Sequence, residues 1–196
     1  LQLLGSNRVD DGWLRQRIEQ LVAAHSTLEE SQQKRMTESV VQHVSGFMIS
    51  TFGREVLGSK KVETESTLTC KFGRDYLTGT IDRLYADANG NWSLLDYKTD
   101  RVDAASLQQR AEVYKPQLLF YSLLVKRAYN QRIVPASLVF LRFPHEPVRF
   151  SFSEKDIFDF ERRVEQVVSL IKADNFVKSE NLCATCTFQV GGRCLV

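Results

Sequence analysis

With 196 residues, 43% of them hydrophobic and 26% charged, the chain suits one soluble globular domain with a sizeable core. No apolar run approaches about 18 residues and no signal-peptide pattern opens the sequence, so no membrane span is expected. The net charge of +2 rules out a strongly basic whole, and any nucleic-acid contact must rest on local positive charge. The sequence opens at Leu1 without an initiator methionine and is expected to be a fragment of something longer.

Residues from about Asp11 to Leu57 read as helical. Trp13, Ile18, Leu21 and Val22 recur near the 3.6-residue period, and a break follows at His25-Ser26-Thr27. A longer helix from about Leu28 carries Met36, Val40, Val44, Phe47 and Met48 on one stripe and ends near Gly53 or Gly58. From Lys61 the pattern becomes β: Val62 to Cys70 alternates, and Gly73-Arg74-Asp75 turns it into a strand over Tyr76–Tyr85.

The next hairpin carries the chemistry. Gly79 to Leu84 and Leu94 to Asp100 are mostly apolar and β-prone, with the turn residues Asp87 to Asn91 between them. Asp96 and Lys98, two apart on a strand, share a face, and buried charge is costly unless it is paired or holds a metal. A two-residue turn at Asn89-Gly90 would pair Ala88 with Asn91 and aim Asp82 away from Asp96 and Lys98. An odd loop or a bulge that pairs Ala86 with Trp92 would set Asp82 opposite Asp96. Two carboxylates that close repel unless a cation lies between them, and hard oxygen ligands suit magnesium. Lys98 would then orient an attacking water. The alternative is an ordinary solvated ion pair on a strand.

After Lys98, Thr99-Asp100 leaves the sheet and a segment with helical content begins at Arg101. Pro116 is preorganised for a helix start, so Gln117 to Tyr129 is predicted as a helix. Gln117 and Tyr121, four apart, share one face, while Leu118, Leu119, Leu123 and Leu124 cover the side toward the sheet. Ala136 to Phe143 reads as a strand, Pro144 to Pro147 as a turn and Val148 to Phe152 as the partner strand. Ser153-Glu154-Lys155-Asp156 is a capping-box start for a helix to about Ala173.

Ile81-Asp82, thirteen intervening residues and Asp96-Tyr97-Lys98-Thr99 resemble the PD-(D/E)XK nuclease signature in its RecB-like form. Gln117-Leu118-Leu119-Phe120-Tyr121 is similar to the Gln-x-x-x-Tyr motif of that branch. Gly79 to Asp82 and Asp96 to Val102 most resemble the C-terminal nuclease domain of AddA- and RecB-type helicase–nucleases, in the UvrD/Rep-like helicase family. The resemblance implies an α/β, restriction-endonuclease-like fold with a mixed central sheet flanked by helices. One domain over 1–196 would comprise N-terminal helices (1–58), a nuclease core (59–176) and a cysteine-containing tail (177–196).

By the same resemblance, the activity would be Mg2+- or Mn2+-dependent hydrolysis of DNA. It would be exonucleolytic on single strands, within an ATP-dependent helicase–nuclease of double-strand-break repair and recombination. Asp82, Asp96 and the Tyr97 carbonyl would hold the metal, and Lys98 would orient water. Gln117 would steady Lys98 or the DNA backbone, Tyr121 would stack on or bond to DNA, and Arg83 and Arg101, beside the motifs, would contact phosphates. Implied partners are DNA, a helicase domain of the same chain and a second helicase–nuclease subunit. The implied location is the cytoplasm, at the nucleoid.

Some readings stay open. A histidine on a helix ahead of the sheet can serve such nucleases as a ligand, and His43 lies at a suitable distance. It lacks the usual Gly-x-x-x-His context, so the alternative is a packed or surface histidine, with the ligand upstream of Leu1. Glu65 with Leu68 resembles the family's first-strand Glu, or Glu65 simply faces solvent. Cys183, Cys186 and Cys194 resemble the tail that pins an iron–sulfur cluster in several RecB-like nucleases. That cluster would need a fourth Cys upstream of Leu1; the other readings are a zinc site completed by Cys70 or a histidine, and free thiols in a relic of the motif. A nuclease-fold module that binds or docks DNA without cutting it is the rival from another class.

Overall fold

The computed structural model describes residues 11–25, 27–87, 89–130 and 134–175. Three helices come first: α1 (Asp11–His25), α2 (Glu30–Ile49) and α3 (Thr51–Leu57). Then follow β1 (Val62–Phe72), β2 (Asp75–Ala86), β3 (Trp92–Lys98), α4 (Leu107–Tyr129), β4 (Ala136–Phe140), β5 (Val148–Phe150) and α5 (Glu154–Lys172). The strands form one sheet in the order β1-β2-β3-β4-β5. All neighbours are antiparallel except β3 and β4, and α4 makes the crossover that a parallel pair requires. This is an α/β, restriction-endonuclease-like architecture: a mixed sheet flanked by helices. The chain divides into two compact units, Leu1–Ile157 and Phe158–Val196, and the sheet belongs to the first. No helix among the described residues is long and apolar enough to cross a membrane.

The N-terminal helices differ from expectation in phase. Leu14, Ile18 and Val22 pack with Val44 of α2, whereas Trp13 and Leu21 are exposed. The i, i+4, i+8 stripe is therefore centred one residue away from Trp13. Met36 is exposed as well. The second helix breaks at Ser50, whose backbone is extended; its hydroxyl donates to the Phe47 carbonyl (2.7 Å) and accepts from the Gly53 N–H (2.8 Å). A Cβ at Gly53 would lie 1.8 Å from the Phe47 carbonyl oxygen, so the turn demands glycine there.

On one side of the sheet, Phe47, Phe52 and Val56 pack on Tyr85, Leu95 and Val139. On the other lies α4, which starts at Leu107 and runs through Pro116 instead of beginning there. An interior proline costs about 3 kcal/mol. Burial of Leu107 and Ala111, one turn apart, ties the earlier turns to the core and offsets that cost. Successive turns (Phe143 N–H to the Phe140 carbonyl, Glu146 N–H to the Phe143 carbonyl) end β4 at Phe140, short of the expected Phe143. Likewise β5 stops at Phe150, before Phe152. Ser153 and Asp156 cap α5 reciprocally, each side chain accepting from the other's N–H.

Candidate active site

The β2–β3 hairpin has the odd loop: Ala86 faces Trp92 and Arg83 faces Leu95, and the same register continued sets Asp82 opposite Asp96. Asp87 fixes the turn, its Oδ1 accepting from the N–H groups of Asn89 and Asn91, and Gly90 supplies the positive φ of 84°. Backbone pairing stops at Arg83–Leu95, and the Asp82 carboxylate accepts the next free N–H, that of Tyr97, at 2.8 Å. A strand residue's N–H and C=O point to the same edge, so the Tyr97 carbonyl also faces the Asp82 side.

The pairing stops there because both β1 and β2 are distorted at one level. Glu65 and Asp82, opposite each other, are missing from an otherwise continuous register, and Glu65 has φ 51°. That is an uncommon conformation for a residue with a Cβ, and such strain gathers at functional sites. The distortion breaks alternation. A Cβ at Gly79 would touch Leu124 (2.8 Å) and Phe120 (3.0 Å) of α4, whereas Tyr85 faces Phe52 of α3. Simple alternation would put 79 and 85 on one face, so the strand turns over between them, at Asp82. Glu65, Asp82, Tyr97 and Thr99 line an open cleft of about 300 Å³ there.

Behind Asp82 a polar network is drawn tight. Asp96, 1% exposed, lies 2.6 Å through Oδ2 from Lys98 Nζ. Lys98 donates to Gln117 Oε1 (2.9 Å), and Gln117 Nε2 donates to the Tyr121 hydroxyl (2.8 Å) and, at 3.4 Å, to Asp96 Oδ1. The absence of a side chain at Gly79 lets α4 approach closely enough for this; a Cβ would also lie 3.5 Å from the Tyr121 ring. The structure thus brings Asp82, Asp96, Lys98, Gln117 and Tyr121 together.

Sequence reasoning overlooked Tyr114, quoted Asp100 without giving it a role, and read Arg110 only as one of several basic residues that could meet phosphate. Lys98 Nζ lies 4.4 Å from the centroid of the Tyr114 ring. The Tyr114 hydroxyl donates to Asp100 (2.8 Å), which Arg110 also binds at 2.6 Å. Tyr114 sits one turn before Gln117 on the same helix face. Reading Pro116 as the helix start concealed that signal.

Burial pushes the Asp96 carboxyl up to about 6, with the Lys98 bond and charge pulling down and the Asp82 charge pushing further up. Burial likewise raises Asp82; the Tyr97 N–H bond opposes it, and the Glu65 charge adds to it. Burial also raises the Tyr121 hydroxyl. Asp100 is exposed to the same upward effect of burial, but Arg110 and Tyr114 outweigh it and hold the carboxyl low.

Arg83, 2% exposed, lines the same open cleft as Glu65, Asp82 and Tyr97, from the Tyr85 side of the sheet and away from Gln117 and Tyr121. Arg101 is exposed just past β3. His43 is half-buried on α2, and burial followed by the Arg142 charge lowers its pKa. Glu65 is exposed and faces Asp82 rather than open solvent alone. Cys70 is buried in β1; Cys183, Cys186 and Cys194 lie outside the described residues. Among the described residues no group of three or more His, Cys, Asp or Glu side chains is placed to hold a metal ion. The donor set still fits one hard divalent cation, because magnesium commonly takes only one or two carboxylates. The Asp82 charge raises the proton affinity of Asp96 and the Glu65 charge that of Asp82, so these carboxylates present the charge such an ion neutralises.

A mixed sheet whose distorted strand sets one Asp against an Asp-x-Lys pair defines a nuclease-type α/β protein. The sequence pattern of the PD-(D/E)XK nuclease superfamily matches residues 2–191, and the chain belongs to that superfamily. Membership implies a metal-dependent nuclease, usually with Mg2+ or Mn2+, and DNA as substrate. Among solved structures, the crystal structure of SSO0001 is similar at a TM-score of 0.43 and 18% identity, over 91% of this chain and 93% of that one. No curated protein matches the sequence.

Proposed function

We propose that this chain hydrolyses phosphodiester bonds of single-stranded DNA exonucleolytically, as the nuclease part of an AddA/RecB-type helicase–nuclease. The observation that carries the nuclease chemistry is the Asp82–Asp96–Lys98 constellation, with Lys98 held by Asp96, Gln117 and the Tyr114 ring. The helicase context rests only on the likeness of Gly79 to Asp82, Asp96 to Val102 and Gln117 to Tyr121 to that branch. Double-strand-break repair, a partner subunit and the single-domain division at 58 and 176 follow from the same likeness. A metal at the cysteine tail is a separate question; brown protein that loses stability on Cys183→Ser would mark a cluster.

Asp82, Asp96 and the Tyr97 carbonyl would hold the divalent ion, and His43 is no part of that set. The ion, when bound, neutralises charge that builds on the phosphoryl and leaving oxygens. Lys98 fixes an attacking water in line with the phosphorus by donating one N–H to its oxygen. Gln117 and Asp96 take up the other donors of the ammonium, so its direction is set before substrate arrives. Tyr121, held by Gln117, and the exposed Arg101 just past β3 would contact a strand crossing the site.

The test is degradation of labelled single-stranded DNA with and without magnesium, by wild type and Asp82→Ala. Cleavage should need magnesium and fall by orders of magnitude in the variant, while DNA binding survives because phosphate contacts carry it. Equal cleavage by Asp82→Ala would place the active site elsewhere. Magnesium-dependent binding without any cleavage would favour a docking module.

A further inference from the structure

Beyond Asp82 the β1–β2 hairpin runs on as a two-stranded ribbon, because β3 pairs only with Arg83 to Ala86. One face of the ribbon is covered: Leu68, Cys70, Phe72, Leu77 and Ile81 are buried. The other is open and regular. Cross-strand pairs on it are Lys71 with Tyr76, Thr69 with Thr78 and Thr67 with Thr80. All six are exposed, Tyr76 at 69%. The next positions along the two strands, Glu65 and Asp82, drop out of the register and line a cleft, so the row ends there.

We infer that this open face is a track for single-stranded nucleic acid leading to the Asp82 cleft, which deepens the nuclease reading and rests on it. Each threonine pair is linked by one hydrogen bond (2.9 and 3.0 Å). Two hydroxyls that share one bond keep one O–H, free to donate outward to a phosphate oxygen. Lys71 and the turn residue Arg74, both exposed, set positive charge at the outer end. The Tyr76 ring presents a face on which only an unpaired base can stack, which selects a single strand over a duplex. The distance from Tyr76 to Asp82 along β2 is roughly 20 Å at the usual strand rise, room for several nucleotides. The inner end is acidic and accepts the backbone only where a cation lies between, so strand approach and metal occupancy are coupled there.

The experiment measures binding of a fluorescent oligothymidine in EDTA, and cleavage of the same strand in magnesium. It uses wild type, Lys71→Ala, Tyr76→Ala and the double variant Thr67→Val/Thr80→Val. These side chains are exposed, so thermal melting should match wild type. Tyr76→Ala and Lys71→Ala should each weaken binding roughly tenfold. Lys71→Ala should also shrink the slope of log affinity against log salt by about 0.7. The threonine double variant should weaken binding less, and cleavage at saturating strand should keep its rate in all three. A matched duplex should bind Tyr76→Ala and wild type alike. If wild type binds and cuts the strand while the variants bind it equally well, the track is wrong and the nuclease reading stands. If wild type neither binds nor cuts, the nuclease reading fails and the track falls with it.

Discussion

Asp96 offers a way to see the site without measuring cleavage. Its carboxyl titrates near 6 in the fold against 3.8 for an unperturbed carboxylate, mainly because it is buried. The folded protein therefore holds this proton more tightly than the unfolded chain does. Stability from this group is fully present below about pH 4 and is lost as pH rises through 6, by up to about 3 kcal/mol. For a chain of this size that is a difference of roughly 6–12 °C in Tm. Asp82, also raised, works in the same direction, whereas Asp87, Asp100, Asp103 and Asp156, all lowered, work against it. The quantity to measure is thus wild type minus Asp96→Asn in metal-free buffer from pH 4 to pH 8. That difference should fall with rising pH and level off above about 7. Magnesium binds the ionised fold and should restore stability at pH 8, by about 2.7 kcal/mol at a hundredfold excess over Kd, with little effect at pH 4. A flat difference curve, or an equal magnesium shift in Asp96→Asn, would refute both the buried carboxylate and its place in the metal site.

Further outcomes follow from the same geometry. Lys98→Ala should abolish cleavage while leaving DNA affinity within a few-fold, as a filter-binding assay would show. It should also lower Tm more at pH 8 than at pH 5, since Asp96 loses the cation that favours its charged form. Gly79→Ala should destabilise by about 1–3 kcal/mol in thermal melts, because its Cβ would press on Leu124 and Phe120. The same displacement of α4 should slow cleavage. Tyr114→Leu should lower kcat with KM nearly unchanged, and Tyr114→Phe, which keeps the ring under Lys98, should retain most of the rate. Equal losses in the two Tyr114 variants would assign the effect to the Asp100 bond instead.

Much of this protein is legible locally. Asp-x-Lys on an apolar strand, a hairpin signal, and Gln and Tyr four apart are relations of period two and 3.6, which hold wherever strands and helices form. Helix phase was misread although it was legible: Leu14, not Trp13, stands four and eight residues before Ile18 and Val22, and that stripe packs on Val44. Pro116 misled because an interior proline costs little beside the burial of Leu107 and Ala111, which local propensity does not contain. Tyr114 and its hold on Lys98 were hidden by the same error.

The sequence by itself determined which residue types stand at the site and left two registers for the hairpin, one of which aims Asp82 away. Tertiary structure decided between them. The odd loop, the left-handed Glu65 and the close approach of α4 over Gly79 act together to turn β2 over at Asp82 and aim its carboxylate at the Tyr97 N–H. Each is a balance of local strain against burial elsewhere in the chain, and no window of neighbouring residues contains both sides of that balance.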